Sequence, residues 1–322
     1  MRHDKLDNVV TESWLCRDPS SDNDNPEVAM PHSELAFLFR LAKNLKAARE
    51  VVRGKPETFN RPDYNFRLSG VTDSGPQGDE QVHISLRQRG APLDLIVAEA
   101  MILANSTWGQ WLASLGVPAI YRSQASLAPG IKVRMGTKAL PHAGIGVPSY
   151  AWSTSPLRRY TDLVNQWQLI ACVRHGATAA LAAPFKPKDA ELFAIITAFE
   201  AAYSAYNTQQ ASMERFWTLQ YLQQNTITEL DATLIKSFPG ETPLARADHL
   251  PLVFPLMGAP ALERGSRVRV RLGSMDLIAL DIHAQFLEFL SPVAQAAASV
   301  EEDDEMPAGP LTIAVNLDDA DA

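Results

Sequence analysis

The chain has 322 residues, of which 46% are hydrophobic and 20% are charged, values typical of a folded globular protein. No apolar run reaches the roughly 18 residues of a membrane span, and the polar start does not build a signal peptide, so we expect a cytoplasmic protein without a membrane partner. The two cysteines, Cys16 and Cys172, exclude a disulfide framework and a zinc cluster.

The net charge of −8 is concentrated at the C-terminus. Of the 37 acids, eight lie between Glu301 and Asp321, where there is no base, and the remaining 29 equal the 29 bases. Residues 121–160 contain no acid and six bases, namely Arg122, Lys132, Arg134, Lys138, Arg158 and Arg159. Such a window favours an anionic ligand such as a nucleic acid, although chance clustering on a solvated face explains the charge pattern equally well.

The first predicted elements are a polar segment and a helix. Residues 17–30 are polar and loop-like. A helix is predicted over 33–53, where Ser33 can cap the first turn and Gly54 ends the helix. Its apolar stripe consists of leucines spaced three and four residues apart, namely Leu35, Leu38, Leu41 and Leu45.

Strands and helices alternate in the next part of the chain. Alternating apolar and polar residues predict two strands over 64–70 and 81–90, which can form a hairpin with a long connection. Residues 91–116 form a helix that is apolar nearly all round, and this predicts that the helix is buried. Further helices are predicted over 156–175 and, as one long helix, over 187–225.

The C-terminal part is β-rich and then acidic. Five short apolar or alternating runs predict a small five-stranded β-barrel over 229–292: ELDATLIKSF, LPLVFPLMG, SRVRVRLGSM, DLIALDIH and FLEFL. Residues 293–322 form an acidic tail that we expect to be disordered. The chain is therefore predicted to be an α+β protein with an N-terminal segment over 1–30, a mixed α/β body over 31–228, the barrel and the tail.

Two adjacent arginines stand out in the segment STSPLRRYTDL. Thr154 or Ser155 can cap the helix that follows, so that Arg158 and Arg159 are predicted to lie in its first turn. The helix dipole repels a cation there by about 0.3–1 kcal/mol when it is exposed. A phosphate bound at this helix end would remove that repulsion, and the alternative is an ion pair with an acid such as Asp162.

The same segment resembles the signature of the RNase II family (the RNB catalytic domain), whose pattern is close to Tyr-x-His-x-Thr-Ser-Pro-Ile-Arg-Arg-Tyr-x-Asp-Leu. Four other segments occur in the family's order: RPDYNFRL, LIVAEAMILAN, GVPAIYR and MERFWTLQYL. The β-rich stretch over 229–290 lies where the family carries its C-terminal OB-type RNA-binding module. The resemblance covers residues 31–290.

The resemblance implies a 3′-to-5′ exoribonuclease that hydrolyses single-stranded RNA to nucleoside monophosphates with Mg²⁺, or with Mn²⁺ in its place. In that role Arg158 and Arg159 bind backbone phosphates near the scissile bond, and Glu214 is a further catalytic residue. The residues implied to contact RNA are Phe66, Glu99, Tyr121, Arg122, Arg134 and Tyr160.

Several of these residues have a structural alternative. Glu99, a lone acid on an apolar helix, either forms an ion pair with a buried Lys or Arg residue or contacts the 3′-terminal ribose of the RNA. Glu214 alternatively lies on a solvated helix face, and Asn105 is expected to cap or bridge inside the fold. Tyr64 and Phe66 share a strand, and we expect one to be buried and the other exposed, where Phe66 can stack on a base.

The chain departs from the family pattern at several positions. Trp152 stands where the family usually has histidine, and Asn165 and Gln166 replace a usual His-Arg pair. The family's metal-binding aspartates precede the matched segments, and the acids found there lie on a turn-rich segment that is poorly suited to hold a metal, namely Asp18, Asp22 and Asp24. The sequence therefore predicts the C-terminal portion of an RNase II-like catalytic domain, without metal ligands and with little or no nuclease activity alone.

Two alternatives follow from that prediction. A separately encoded N-terminal RNB half can supply the missing aspartates as a partner. Otherwise the chain is a non-catalytic RNA-binding protein or a truncated remnant of an exoribonuclease.

Overall fold

The computed structural model describes residues 6–7, 9–17, 31–57, 63–75, 77–78, 80–87, 91–128, 131–238 and 241–291. The predicted acidic tail, most of the predicted N-terminal loop and the aspartates Asp18, Asp22 and Asp24 lie outside these residues. None of the helices in this part of the chain has the length and apolar content that crossing a bilayer requires.

The described chain alternates helices and strands before it ends in consecutive strands. The helices are α1 (Glu12–Leu15), α2 (His32–Arg53), α3 (Pro92–Ser114), α4 (Tyr160–His175), α5 (Ala179–Ala182) and α6 (Ala190–Gln224). The strands are β1 (Asp63–Ser69), β2 (Gln81–Arg87), β3 (Tyr121–Ser123), β4 (Arg134–Gly136), β5 (Glu229–Lys236), β6 (Leu244–Ala247), β7 (Val253–Met257), β8 (Arg267–Asp276) and β9 (Asp281–Ser291).

The strands form two small sheets and one barrel. β1 and β2 make an antiparallel hairpin, as predicted, in which Asp63 lies opposite Arg87 and Ser69 lies opposite Gln81. β3 and β4 make a second antiparallel pair. The last five strands close into a barrel in the order β5-β6-β7-β9-β8, with a parallel contact only between β7 and β9. The predicted α+β class, a mixed body followed by a five-stranded barrel, is confirmed.

Helix α2 exposes much of the stripe that the sequence predicted as its core face. The buried positions are Ala36, Phe39, Ala42 and Arg49. Leu38 and Leu41 are each 40% exposed, and Phe37 is 57% exposed. Apolar residues occur on both sides of this helix, and the packing of α1 and α3 decides which side is buried.

The ends of α2 confirm one predicted boundary and correct the other. The helix begins at His32, with Pro31 as its N-cap, so Ser33 lies inside the helix and does not cap it. A proline before the first helical residue supplies a suitable φ angle but no capping side chain. At the other end Gly54 adopts a φ of 79° and donates its N–H to the Glu50 carbonyl, as predicted.

Helix α3 is buried on one face only, which corrects the prediction that it is buried all round. Val97 and Leu103 are 55% and 47% exposed. The buried face is notably polar and consists of Pro92, Glu99, Asn105, Ser106, Gly109 and Leu112. A Cβ on Gly109 would lie 3.3 Å from the Ala151 nitrogen, so the glycine allows this segment of main chain to approach the helix closely.

The barrel is joined to the body through the end of α6. Leu219 and Leu222 of α6 belong to the same buried cluster as the inward-facing residues of the barrel. Arg215 donates to the main-chain oxygens of Val253, at 2.7 Å, and Leu280, at 2.5 Å. Helix α6 is a single helix, as predicted, and its first turn is capped by Asp189, whose side chain accepts from Glu191 N.

The number of barrel strands was predicted correctly, but two of the five predicted segments are wrong. The run DLIALDIH does not form a strand of its own, because it spans the end of β8, a turn and the start of β9. The run FLEFL belongs to β9. Strand β6 was missed, since four residues, LARA, are too short for a clear alternating pattern.

Candidate functional site

Side chains from α3 and α4 hold the main chain just before the two arginines. We define the arginine loop as residues 153–159. Asn105 Oδ1 accepts from Ser153 N at 2.9 Å, and Asn105 Nδ2 donates to Thr154 Oγ1 at 3.2 Å. Gln166 Nε2 donates to Ser153 O at 2.6 Å. The prediction that Asn105 bridges inside the fold is confirmed, and the start of the loop is fixed on two sides.

The two arginines precede the helix and do not lie in its first turn, so that prediction is wrong. Helix α4 begins at Tyr160, and Arg159 is extended, with φ −129° and ψ 116°. The loop closes into a turn in which Ser155 O accepts from Arg158 N and Arg159 N. Asp162 Oδ1 accepts from Ser155 N at 2.8 Å, and this bond holds the turn against the first turn of the helix.

Arg159 is buried and paired with an acid. It is 9% exposed, and Asp162 is fully buried. Arg159 Nε donates to Asp162 Oδ2 at 2.8 Å, and Arg159 Nη2 donates to Asp162 Oδ1 at 2.7 Å. This bidentate contact is the ion-pair alternative that the sequence left open, and it binds one edge of the guanidinium group.

Arg158 faces the other way, toward solvent. Its Nη2 donates to Ser155 Oγ at 3.3 Å, and no ion pair joins it to an acid within the described part of the chain. Partial burial, and then the positive charge of Arg159, lower the pKa of Arg158 from its ordinary value. An anion next to Arg158 would offset both effects.

The ring of Trp152 makes cation–π contacts with two arginines. The tryptophan is 2% exposed. The guanidinium carbon of Arg122 lies 4.2 Å from the ring centroid and that of Arg159 lies 4.1 Å away, both within the range of a cation–π contact. Helix α6 contributes edge contacts from Phe199 and Tyr203, at 6.3 and 6.4 Å between centroids. Sequence reasoning treated Trp152 only as a departure from the family and missed this role.

The local charge of the arginine loop and its partner is positive. Arg158 and Arg159 contribute two positive charges, and Asp162 contributes one negative charge. The nearby His142 is 3% exposed, and its burial, followed by the charge of Arg122, lowers its pKa to about 4. The histidine is therefore neutral at pH 7 and adds no charge to the site.

Tyr121, Arg134 and Tyr160 lie in three different environments. Tyr121 is 2% exposed, its hydroxyl donates to Gly109 O at 3.0 Å, and burial raises its pKa to about 12. No face of its ring is open to a nucleotide in this structure. Arg134 is exposed on β4, and Tyr160 is 49% exposed, with its ring edge-on to Trp167 at 6.1 Å.

Tyr64 and Phe66 are both half-buried, so the expectation of one buried and one exposed ring is wrong. Residues two apart on a strand point to the same side of the sheet.

Glu214 is half-buried on α6 and accepts from Gln210 Nε2 at 2.8 Å. Its neighbour Arg215 is turned toward the barrel and makes no ion pair with it among the described residues.

Glu99 occupies a structural position. It is 2% exposed, and Arg49 Nε donates to its Oε2 at 3.0 Å while Arg49 Nη2 contacts its Oε1. Arg49 also donates to Ile145 O at 2.5 Å and pairs with Glu57 at 3.1 Å. The structure thus places Glu99 in the buried pair that the sequence left as an alternative. Arg49 itself was missed, although it lies on the same helical face as Ala42.

The described residues do not fit a Mg²⁺ or Mn²⁺ site. Within the part of the chain that the structure describes, no three His, Cys, Asp or Glu side chains lie close enough to hold a metal ion. The buried carboxylates Glu99 and Asp162 are each bound by an arginine. A hard divalent cation needs several oxygen ligands that are free to coordinate it.

The barrel carries a row of arginines on β8 whose charges are already balanced. Each arginine meets one or two acids on a neighbouring strand or loop, in the pairs Arg267–Asp248, Arg269–Asp231, Arg269–Glu288 and Arg271–Glu229. The nitrogen–oxygen distances run from 2.7 to 3.2 Å. This surface therefore has little net positive charge to offer a phosphate backbone.

Comparison with known proteins points to ribonucleases. The chain is 28% identical over 171 residues to an uncharacterized ribonuclease of Synechocystis, which covers 46% of this chain and 24% of that protein. It is 24% identical over 222 residues to exoribonuclease 2 of Vibrio parahaemolyticus, which covers 52% and 32% respectively. The chain therefore spans a third or less of the length of these two relatives.

Solved structures show the same fold. The Dss1 exoribonuclease of Candida glabrata matches with a TM-score of 0.67 and 19% identity, over 81% of this chain and 37% of that one. RNase R of Mycoplasma genitalium in complex with double-stranded RNA matches with a TM-score of 0.58 and 14% identity, over 81% and 52%. The model of the RNB domain family matches residues 11–132 and 128–175, about half of the chain. The chain belongs to the RNB domain family, which confirms the resemblance to RNase II.

Proposed function

We propose that this chain is the phosphate-binding portion of a 3′-to-5′ exoribonuclease that acts on single-stranded RNA. The observation that carries the proposal is the exposed guanidinium of Arg158, held beside the buried Arg159–Asp162 pair in a site with excess positive charge. A planar guanidinium can hydrogen bond two phosphate oxygens, which a lysine cannot do with the same geometry. A backbone phosphate would supply the anion that this site lacks.

Family membership supports the reaction class. One relative of this chain is named an exoribonuclease, and Mycoplasma genitalium RNase R has been solved with ribose-methylated single-stranded RNA. In this proposal Arg158 binds the backbone near the 3′ end. Glu214, Phe66 and Arg134 are further contacts with the RNA, and the five-stranded barrel acts as an OB-type module.

The metal ligands of the proposed enzyme must come from outside the described residues. Glu99 and Asp162 are both engaged by arginines, and no other cluster in the described ranges holds a metal. The carboxylates that bind Mg²⁺ would be supplied by another part of the polypeptide or by a separately encoded N-terminal RNB half. If a separately encoded half supplies them, the 322-residue chain alone is expected to bind RNA with little or no hydrolysis.

The test is a time course with 5′-labelled single-stranded RNA and Mg²⁺ or Mn²⁺, in which wild type is compared with Arg158→Ala. A matched control is Arg174→Ala, which removes another exposed arginine from the last turn of α4. Binding of the same RNA is measured in parallel by fluorescence polarisation at several salt concentrations. Loss of one phosphate contact reduces the slope of log affinity against log salt by about 0.7 for a single strand.

Three outcomes are distinguishable. Intact RNA that binds wild type and Arg174→Ala, but binds Arg158→Ala weakly, supports the phosphate site and the need for external metal ligands. Progressive 3′ shortening that is lost in Arg158→Ala would mean that the chain is a complete nuclease and carries its own metal ligands. RNA affinity that is identical in all three proteins would refute the proposed phosphate site.

A further inference from the structure

We propose that Trp152 is a positioning residue, which holds Arg159 and the arginine loop so that Arg158 alone reaches the RNA phosphate. This inference rests on the proposed function. It differs from the expectation that both arginines bind phosphate, and it assigns a role to the tryptophan that replaces the family's usual histidine.

Arg159 has few hydrogen-bond donors that a phosphate can reach. Its Nε and Nη2 are both used by Asp162, and its guanidinium carbon lies 4.1 Å from the Trp152 ring centroid. One edge and one face of the planar group are therefore occupied, and the residue is 9% exposed. A phosphate could use the Nε–Nη2 edge only by breaking the pair with Asp162, which is fully buried and would keep its charge without a partner. The other edge, formed by Nη1 and Nη2, belongs to a side chain with little exposed surface.

Trp152 is itself firmly anchored. Its main-chain oxygen accepts from Asn165 Nδ2 at 2.7 Å, and its ring is bordered by Phe199 and Tyr203 of α6. A tryptophan offers the strongest cation–π surface of the aromatic side chains. Histidine has a smaller ring, and in its protonated form it would repel the guanidinium groups of Arg122 and Arg159.

The consequence reaches Arg158 through the main chain. Arg159 is bound to Trp152 and Asp162, and Asp162 also accepts from Ser155 N, so both ends of the turn that carries Arg158 are tied to the same cluster. Loss of the indole ring would remove the contact with Arg159, loosen this turn and let Arg158 sample more orientations. Its contact with a phosphate would then be weakened although Trp152 does not touch the RNA.

The first experiment is a double-mutant cycle on RNA binding, with Trp152→Ala, Arg158→Ala and the double variant, at several salt concentrations. We expect each single variant to reduce the salt slope by about 0.7 and the double variant to reduce it no further. Trp152→Phe, which keeps an aromatic face, should retain most of the slope. Trp108→Ala removes another partly buried tryptophan of the body and should leave the slope unchanged.

The second experiment measures the loop without RNA, by limited trypsin cleavage after Arg158 and Arg159. Cleavage requires local opening of the loop, so its rate reports how firmly the loop is held. We expect Trp152→Ala to be cut about tenfold faster than wild type, Trp152→Phe to be intermediate, and Trp108→Ala to be cut at the wild-type rate.

The two experiments separate the failure of this inference from the failure of the proposed function. If Arg158→Ala leaves RNA binding unchanged, the phosphate site is wrong, and the cleavage rates still decide whether Trp152 holds the loop. An unchanged cleavage rate in Trp152→Ala would overturn the inference. So would losses of affinity that add fully in the double variant, since independent residues contribute independently.

Discussion

Glu99→Gln should destabilise the protein and leave its RNA affinity unchanged. The substitution leaves the Arg49 guanidinium buried beside an uncharged amide. Removal of one member of a buried ion pair costs about 3–5 kcal/mol. Arg49 keeps its contacts with Glu57 and the Ile145 carbonyl, so the lower end of that range, about 3 kcal/mol, applies here.

The effect is measurable by thermal and urea unfolding. A loss of about 3 kcal/mol corresponds to a fall in Tm of about 6 to 12 °C for a domain of this size. The matched control is the double variant Arg49→Met, Glu99→Leu, which removes both charges of the buried Arg49–Glu99 pair and should recover much of the stability. Glu57 loses its partner in this variant, but its side chain is 20% exposed and can be hydrated. A Glu99→Gln variant that melts like wild type but binds RNA weakly would refute the structural role and place Glu99 in the RNA site.

Three further predictions concern pH, backbone conformation and the barrel surface. The pKa of His142 is lowered from 6.5 to about 4 by burial, so the unfolded chain binds this proton at a higher pH than the folded chain does. The free energy of unfolding should keep the full contribution of His142 above pH 6.5 and fall by about 3 kcal/mol toward pH 4. In His142→Asn the unfolding free energy should lack this fall. Gly146 has a φ of 78°, and a Cβ there would overlap the Arg49 carbonyl. Gly116 has a φ of 66° but open space around it. Gly146→Ala should therefore lower the free energy of unfolding, measured with urea, several times more than Gly116→Ala. That reference substitution should cost about 1–2 kcal/mol. Arg271→Ala should leave the salt slope of RNA binding unchanged, because this arginine is already paired with an acid.

The order of elements was predictable because each depends on local signals. Gly54 ends α2, the helical pattern over 187–225 gives α6, and short alternating runs give a barrel. The domain boundaries and the cytoplasmic location stay predictions. The choice of the buried face of α2 was not predictable, because Leu38 and Phe39 are both apolar and only the packing of α1 and α3 selects between adjacent faces.

The site was predictable as a motif but not as a geometry. The Ser-Pro pair predicted that the helix begins at Pro156, whereas Arg159 is extended and the helix begins at Tyr160. That single change in backbone conformation brings the guanidinium of Arg159 to Asp162 and leaves Arg158 exposed. Two neighbouring arginines in a sequence carry no information about which one is buried, since that depends on Trp152 and on helix α6.

Helix α6 connects the surroundings of the arginine loop to the barrel, so its tilt is transmitted from one to the other. Its 35 residues extend for about 52 Å, and between Ile196 and Thr218 this described helix has no fully buried residue. Phe199 contacts Trp152, and Leu219, twenty residues further along, packs in the barrel core, so the two attachments lie about 30 Å apart along the helix. A tilt of about 5° at the first attachment displaces the second by about 2.6 Å, roughly half a helical turn. A change in the angle of α6 therefore changes the distance between the barrel and Arg158.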